Sequence, residues 1–402
     1  MRIAYIQSMA TTSPEAGGYV HVSQVANQFL NRGHTLYSNL LSESNRFIKL
    51  TKGDFFSRGS EIDVFYVRIH GSAWNDELTL YREANLNAPC VWELNAPLEE
   101  LLRKPGISEK NLSKLNKRRK ELAQMVDAAI CVSNEMEEYA RNKLKIKKTF
   151  LVPNGSDPKH FAPDKKSINI YDKSKFIVLW SGSPEYTWQG LEIVQKLSEK
   201  LKKIDRDILV AVTAEGKSDE NTRYLGRIPY SEIPIYMASA NVGLCIYKNI
   251  DFYKKFFFSP LKLFDYMASG LSVIGSNVGQ IKLVIEENKN GLLTDTSVDD
   301  LIEKILYLKA NNELASKMGA RGREAVVKRY NWGRVVLQIE EILFALLKQP
   351  RITEMKRYRH LSNFKSIVIQ SIIAKEKYQH LSNFIGRAIR NLKKLISYNI
   401  QK

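Results

Sequence analysis

Short apolar segments, each bounded by polar residues, recur along most of this 402-residue chain. Most of them are apolar throughout, which is typical of strands buried on both faces of a parallel sheet. The predicted strands are 2–7, 62–69, 89–95, 128–133 and 149–155 in the first half, and 176–182, 207–216 and 242–248 in the second. Helical stretches follow many of these segments. The pattern therefore predicts an α/β protein with doubly wound parallel sheets.

The first strand is followed by a glycine pair and then by a helical repeat of apolar residues, which is the opening of a βαβ unit. Gly17 and Gly18 are expected to form a loop, and Gly33 is expected to end the helix. The apolar positions that recur at helical spacing are Val22, Val25, Ala26, Phe29 and Leu30.

A stretch rich in Pro, Asp and Lys, residues 155–175, separates two similar halves and marks a domain boundary. We predict a Rossmann-like N-terminal domain at 1–160 and a Rossmann-like C-terminal domain at 161–330. An amphipathic helix at 331–349 closes the globular part in this prediction. Residues 350–402 form a basic amphipathic helical tail.

The net charge of +18 indicates anionic partners such as nucleic acid, a membrane surface or phosphorylated ligands. The charge is concentrated at the C-terminus, because residues 351–402 hold twelve Lys or Arg and only Glu354 and Glu376 as acids. An apolar fraction of 44% and an aromatic fraction of 10% are ample for packed cores and exclude a disordered chain.

The tail contains a near-repeat, "YRHLSNF" at 358–364 and "YQHLSNF" at 378–384. Apolar residues on one helical face with basic residues around them favour a helical pair lying on an anionic membrane surface. A hairpin packed on the domain and an oligomer contact are the alternatives. Nucleic-acid binding is not expected, since no recognition motif accompanies the charge. A second basic stretch, 114–120, is either a further membrane contact or a solvated helix face.

Cys90, Cys131 and Cys245 are far apart in the sequence and have neither disulfide-framework nor zinc spacing, so we expect a reduced compartment. The N-terminus is too short and too polar for a signal peptide, and no run of 18 apolar residues occurs. The expected location is therefore cytoplasmic, with peripheral attachment to the inner face of the cytoplasmic membrane through the tail.

The segment "SPLKLFDYMASGLSVIG" at 259–275 predicts a helix with Ser259 as N-cap, Pro260 at the first helical position and Gly270 at the end, followed by a buried strand. Lys262 in the first turn opposes the helix dipole by about 0.3–1 kcal/mol, a cost that a bound anion would reverse. Asp265, one turn further on, suits sugar hydroxyls. The segment thus favours a nucleotide sugar, with a local Lys262–Asp265 pair on a solvated surface as the alternative.

This segment resembles "PxKLFEYMAxGxPVV", the motif of GT-B glycosyltransferases of family 4, the glycogen-synthase-like retaining group. Further resemblances occur in the order that this family has. They cover most of residues 1–345 and are "AGGYVHVSQVANQFLNRGHTL", "LVPNGSDPKHFAP" (similar to a "PNGVDxxxF" hinge), "LGRIPYSEIPIYMASANVGLCIY", "ENKNGLLTD" and "YNW" before the last helix.

The resemblance implies a GT-B fold, with an acceptor domain and a nucleotide-sugar donor domain that face a cleft. It implies transfer of a sugar from a nucleotide diphosphate sugar to a surface-glycan or lipid-linked acceptor, with retention of configuration and without a metal or other cofactor. The leaving diphosphate would take the acceptor proton. The alternatives are a catalytically silent GT-B scaffold in a glycan-assembly complex and, more remotely, a sugar-nucleotide epimerase.

Site residues are expected from the matched positions. The catalytic group is Asn95, Glu93 and Lys262, with no metal ligands. The donor-binding group is Gly17, Gly18, Gly182, Ser183, Arg227, Ser259, Pro260, Leu261, Lys262 and Asp265.

The chain departs from the family pattern at the donor site. Phe257 replaces the first motif glutamate, and Asp265 is shorter than the second. Pro184 and Gln189 stand where Arg and Lys are usual, so Lys262 is the remaining cation for the diphosphate. Asn95 replaces a histidine that contacts the transferred sugar in many members.

Overall fold

Two parallel β-sheets organise the residues that the computed structural model describes. Those residues are 1–7, 17–39, 47–50, 58–68, 85, 87–98, 108–167, 169–248 and 255–348. The predicted tail, 350–402, lies outside them. No helix of the described residues is both long and apolar enough to cross a membrane.

The first sheet has the strand order β3-β2-β1-β4-β5-β6-β7, and its neighbouring strands are parallel. Its strands are β1 Arg2–Gln7, β2 Thr35–Ser38, β3 Ile48–Lys49, β4 Val64–Arg68, β5 Cys90–Leu94, β6 Ala128–Cys131 and β7 Thr149–Leu151. The strand order reverses beside β1, where Gln7 pairs in register with Arg68 of β4. The carboxyl ends of strands at such a reversal form the usual ligand crevice of an open α/β sheet.

The helices around this sheet are α1 Gly17–Asn31, α2 Glu109–Ala123 and α3 Asn134–Asn142. Helix α1 buries Val22, Val25, Ala26 and Phe29 in the first core, as the helical spacing predicted. The prediction of a loop at Gly17 and Gly18 is wrong, because both glycines lie in the first turn of α1.

The second sheet has the order β10-β9-β8-β11-β12-β13, again with parallel neighbours. Its strands are β8 Phe176–Trp180, β9 Ile208–Val212, β10 Thr222–Tyr224, β11 Val242–Cys245, β12 Ser272–Ser276 and β13 Leu292–Thr294. Its helices are α4 Leu191–Ile204, α5 Ile233–Ala238, α6 Leu261–Ala268, α7 Ile281–Val284, α8 Val298–Ala310 and α9 Asn312–Lys328. Two apolar cores include its strand residues, so the predicted doubly wound arrangement is confirmed.

The last described helix, α10 (Trp332–Leu347), completes the core of the first sheet although it follows the second sheet in the chain. Trp332 packs edge-on against His21 of α1, with ring centroids 5.2 Å apart. Glu340, also on α10, pairs with His34, whose other ring nitrogen accepts from the N-terminal ammonium, and with Arg32. The chain therefore crosses between its halves twice, after β7 and before α10.

The two crossings lie side by side. Ser156 donates its backbone N–H to the carbonyl of Tyr330 (2.9 Å) and accepts from the N–H of Trp332 (3.1 Å). Gly155 lies so close to Tyr330 that a Cβ at Gly155 would collide with its carbonyl. We call residues 154–157 and 330–332 the paired hinge.

We predict that Trp332→Ala lowers the free energy of unfolding by about 3–5 kcal/mol, since it leaves a cavity between α1 and α10. The measurement is urea denaturation followed by circular dichroism. Phe344→Ala on the same helix is the matched control, because Phe344 is 42% exposed whereas Trp332 is 2% exposed. Equal losses for the two variants would contradict the assignment of α10 to the first core.

Candidate functional site

Helix α6 begins differently from the sequence prediction. Pro260, in an extended conformation, is the N-cap, and the helix start has no side-chain cap. The Ser259 hydroxyl instead accepts from the backbone N–H of Asn154 in the paired hinge (3.0 Å). Assigning Ser259 as N-cap was wrong because the hinge supplies a competing donor that is distant in sequence. The predicted end of the helix is confirmed, since Gly270 has a positive φ of 79°.

Asn154 connects α6 to the first half of the molecule. Its side-chain N–H donates to the carbonyl of Ser259 (2.6 Å), so its amide oxygen faces His21 Nδ1 (2.9 Å) and accepts a hydrogen bond from it. The opposite ring nitrogen of His21 contacts Glu93. A continuous series of buried polar contacts thus runs from β5 through α1 and the hinge to the start of α6.

Glu93 is 2% exposed, and both its carboxylate oxygens have protein partners. One contacts His21, and the other accepts from the Tyr5 hydroxyl (3.3 Å). Burial acts to raise the pKa of Glu93, but His21 and, to a lesser extent, Arg68 and Tyr5 hold it below its usual value. Glu93, predicted as a member of the catalytic group, orients His21 in this structure.

Lys262 is 9% exposed and lies among aromatic rings at the start of α6. Its Nζ is 4.9 Å from the ring centroid of Trp180 and 5.2 Å from that of Tyr247, and it donates to Gln189 Oε1 (3.2 Å). Burial lowers the pKa of Lys262 to about 8. Such an ammonium has unused hydrogen-bonding capacity and is poised to bind an anion.

The loop after β8 lies against this ammonium. A Cβ at Gly182 would be 2.9 Å from Lys262 Nζ, so a side chain at this position would crowd it. Ser183 donates its backbone N–H to Gln189 Oε1 (3.1 Å), the oxygen that also accepts from Lys262. The structure therefore brings together the predicted donor residues Gly182, Ser183 and Lys262, and Gln189 joins them.

Asp265 lies one turn after Lys262 and has a different partner. Its Oδ1 accepts from the Ser156 hydroxyl of the paired hinge (2.6 Å). Burial raises the pKa of Asp265 to about 8, Asp157 adds to the rise, and the Ser156 hydrogen bond opposes it. The alternative of a solvated Lys262–Asp265 surface pair is wrong, because the two side chains are held by Gln189 and Ser156.

The remaining predicted residues occupy several places. Gly17 lies near α6, since its Cβ would be 3.4 Å from Leu261 Cδ1, and Leu261 packs against the first core. The carbonyl of Gly18 accepts from Arg68 (2.9 Å). Arg227 is exposed.

Asn95 follows β5 and is half-buried. Its amide oxygen is buried and makes no hydrogen bond within the described part of the chain. That oxygen is available to a sugar hydroxyl, as the prediction for Asn95 requires, although the structure gives Asn95 no contact with Lys262 or Asp265.

Phe257, which replaces the first motif glutamate, belongs to a contact between the two halves. Its carbonyl accepts from the Ser133 hydroxyl (2.7 Å), and its ring packs edge-on against Tyr139 of α3 at 5.9 Å. Nearby, Lys255 pairs with Glu138 of α3 (2.5 Å). This position therefore holds the halves together.

Sequence reasoning missed three residues that organise the site: Asn154, Ser156 and His21. The signal at the hinge was the run "PNGSD", in which Asn154 and Ser156 flank a glycine that permits close approach. Their partners lie elsewhere in the sequence, so spacing alone does not identify them.

Across the described ranges, no three or more His, Cys, Asp or Glu side chains are grouped so as to hold a metal ion.

Two Rossmann-like sheets joined by a paired hinge, with α6 at the junction, define the GT-B architecture. The fold is similar to that of the Anabaena protein Alr3699/HepE solved in complex with UDP, with a TM-score of 0.64 at 14% identity over 86% of this chain and 100% of that one. Residues 191–341 match the family model described as "Glycosyl transferase-like". The chain thus has the GT-B fold, and residues 191–341 within it are similar to glycosyltransferases.

Curated relatives match parts of the chain. N-acetyl-α-D-glucosaminyl L-malate synthase of Bacillus anthracis is 30% identical over 92 residues, which are 23% of this chain and 24% of that protein. GDP-mannose-dependent α-(1-6)-phosphatidylinositol monomannoside mannosyltransferase of Mycobacterium tuberculosis is 25% identical over 146 residues, 36% of each chain. The chain therefore spans well under half the length of both relatives.

We predict that Lys262→Gln weakens UDP binding by about ten- to a hundredfold, because it removes a buried ammonium that is expected to bond the diphosphate. Isothermal titration calorimetry measures the Kd. Lys202→Gln is the control, since Lys202 lies in the same half on α4 and pairs with Asp219 at the surface. An unchanged Kd for Lys262→Gln would show that this lysine does not contact the diphosphate.

We also predict that UDP affinity is highest near pH 8. The Lys262 ammonium is lost as the pH rises through its pKa of about 8, whereas the Asp265 carboxylate is gained as the pH rises through its pKa of about 8. Titrations between about pH 6.5 and 9.5 measure both limbs. Lys262→Gln removes the alkaline decrease and Asp265→Asn removes the acidic one. A wild-type profile that is flat over this range would contradict both assignments.

Proposed function

We propose that the protein is a glycosyltransferase that moves a sugar from a nucleoside diphosphate sugar to a glycan or lipid-linked acceptor. The observation that carries the proposal is the pair on α6: a buried ammonium beside the Gly182–Ser183 loop and a half-buried carboxyl one turn further on. The first suits a diphosphate and the second suits ribose hydroxyls. The UDP complex of the structurally similar protein supports this ligand class.

In the proposed reaction the bond between the anomeric carbon and the diphosphate oxygen breaks, and the acceptor hydroxyl forms a new bond to that carbon. The acceptor proton passes to the leaving diphosphate, on the same face, so configuration is retained. Lys262 offsets the charge that develops on the diphosphate, and its buried surroundings strengthen this interaction. We propose that Lys262 supplies the positive charge at the diphosphate and that the reaction needs no metal.

We propose that the sugar acceptor lies at a membrane surface. The mannosyltransferase relative acts, by its name, on a phosphatidylinositol mannoside. Helix α2 presents an exposed basic face made of Lys110, Lys114, Lys117 and Lys120. Together with the basic residues of 351–402, this face suits anionic lipid. The proposed location is therefore cytoplasmic and peripheral on the inner face of the membrane.

A GT-B scaffold without catalysis is the second candidate. The observation in its favour is Phe257, whose ring and carbonyl contact the first half where the family motif has a carboxylate. Both candidates expect a nucleotide site. They differ in whether the bound donor is consumed.

The test is a binding and turnover series with UDP, GDP, TDP and ADP and their glucose, mannose and N-acetylglucosamine forms, with and without EDTA. We expect one nucleoside diphosphate to raise the Tm and its sugar form to be hydrolysed slowly without acceptor, at a rate that EDTA leaves unchanged. Binding without release of nucleoside diphosphate, even with membrane extracts, would favour the scaffold. Failure of all four nucleotides to bind would overturn the proposal, and loss of hydrolysis in EDTA would overturn metal independence.

A further inference from the structure

Ser156 is held by its backbone more firmly than an ordinary linker residue. Both its N–H and its carbonyl are bonded across the paired hinge, to Tyr330 and Trp332, and the residue is 1% exposed. It also pairs with Asn331 in an isolated parallel bridge. The backbone at Ser156 therefore has little freedom, and the direction of its hydroxyl is set by the hinge.

The Ser156 hydroxyl makes a hydrogen bond to Asp265, which belongs to the second half of the molecule. Ser156 Oγ donates to Asp265 Oδ1 at 2.6 Å, a short distance typical of a hydroxyl bonded to a carboxylate. The second oxygen, Asp265 Oδ2, makes no hydrogen bond within the described part of the chain. One oxygen is thus fixed by the hinge, and the other is left for a ligand.

We propose that Ser156 is a positioning residue for the nucleotide: its hydroxyl holds Asp265 so that the free carboxylate oxygen accepts from the ribose, which couples ribose binding to the paired hinge. The inference rests on the proposed function, because it names what serves the ribose contact. Ser156 itself does not touch the donor.

Both Ser156 and Asp265 differ from the residues that the family motifs have at these positions. The hinge motif has Val where this chain has Ser156, and the helix motif has Glu where this chain has Asp265. An aspartate is one methylene shorter than a glutamate and so reaches less far from the helix. The two departures lie 109 residues apart and meet in one hydrogen bond. A hydroxyl at 156 has a partner here because the acid at 265 is short.

The charge state of Asp265 depends on this bond. Burial raises its pKa to about 8, and the Ser156 hydroxyl works against the rise. The other titratable groups that act on the carboxyl are Asp157 of the hinge, Tyr230 before α5 and Tyr266 on α6 itself. Without the hydroxyl, the pKa of Asp265 rises further, and the carboxylate that ribose needs forms at higher pH.

The experiment compares Ser156→Val with Ser156→Thr, two side chains of nearly equal shape that differ in the hydroxyl. The probe is UDP, or whichever of the four nucleoside diphosphates above binds most tightly, and calorimetry gives the Kd at several pH values. We expect Ser156→Val to weaken binding by about tenfold at pH 7 and Ser156→Thr by less than about threefold. The acidic limb of the pH profile moves to higher pH in the Val variant only.

A double-mutant cycle adds Asp265→Glu and the combined Ser156→Val/Asp265→Glu variant. The combined variant restores both family residues, so we expect it to bind more tightly than Ser156→Val alone. Ser269→Ala is the control for removing a buried hydroxyl near this helix, because the Ser269 hydroxyl makes no hydrogen bond within the described residues. It is expected to leave the Kd unchanged.

Four results overturn the inference. Equal losses in the Val and Thr variants would assign the effect to shape and not to the hydroxyl. Additive losses in the cycle, or wild-type affinity in Ser156→Val, would show that Ser156 and Asp265 do not cooperate in binding. If the wild-type protein binds none of the nucleotides, the proposed function fails and the donor role of Ser156 fails with it. Tight wild-type binding that Ser156→Val leaves intact removes only the inference.

Discussion

The side-chain amide of Asn154 is the interaction on which the geometry of the site depends. It is buried, it binds the carbonyl of Ser259 just before α6, and it binds His21 of α1. Its backbone N–H donates a hydrogen bond to the Ser259 hydroxyl. Because that hydroxyl is occupied, α6 starts without a side-chain cap, and its first N–H groups are left to another acceptor. The direction of α6, and hence of Lys262 and Asp265, is fixed from the hinge.

The contact between His21 and Glu93 extends this constraint into the first sheet. Buried ionisable pairs stabilise little by themselves, but breaking one leaves a charge without a partner and costs about 3–5 kcal/mol. Here both carboxylate oxygens of Glu93 and both ring nitrogens of His21 are bonded. The pair therefore specifies a position: it fixes the ring that holds Asn154. This accounts for the buried acid in β5.

Sequence periodicity identified the strands that are buried on both faces, because such strands are apolar over their whole length. It did not identify β2, β3, β10 and β13, which are short and lie toward the sheet edges, where polar residues are tolerated. Helix α10 was expected from its amphipathic pattern, but the pattern does not say which core it joins. That depends on the paired hinge, which carries the chain back to the first sheet.

The candidate site was predictable where one helix determines it and not where two distant segments meet. Lys262 and Asp265 were found because a cation in the first turn of a helix and an acid one turn later are unusual in sequence. Their burial and their partners, Gln189 and Ser156, follow from contacts 73 and 109 residues away. The N-cap assignment of Ser259 failed for the same reason, since Asn154 is 105 residues distant.

The residues that depart from the family pattern contact one another or the charged residues of the site. These contacts help to decide whether the site still binds a ligand or has lost that function. Gln189 replaces a cation, and its amide oxygen binds both Lys262 and the loop after β8. A second lysine there would repel Lys262 and lower its pKa further. Ser156 and Asp265 compensate each other in the same way. Random loss of function would leave buried charges without partners, at a cost of about 1–3 kcal/mol or more for each unsatisfied group. Here both ionisable groups, Lys262 and Asp265, are retained, and each has one neutral partner. Each group can therefore form further hydrogen bonds, as is expected of a site that still binds a ligand.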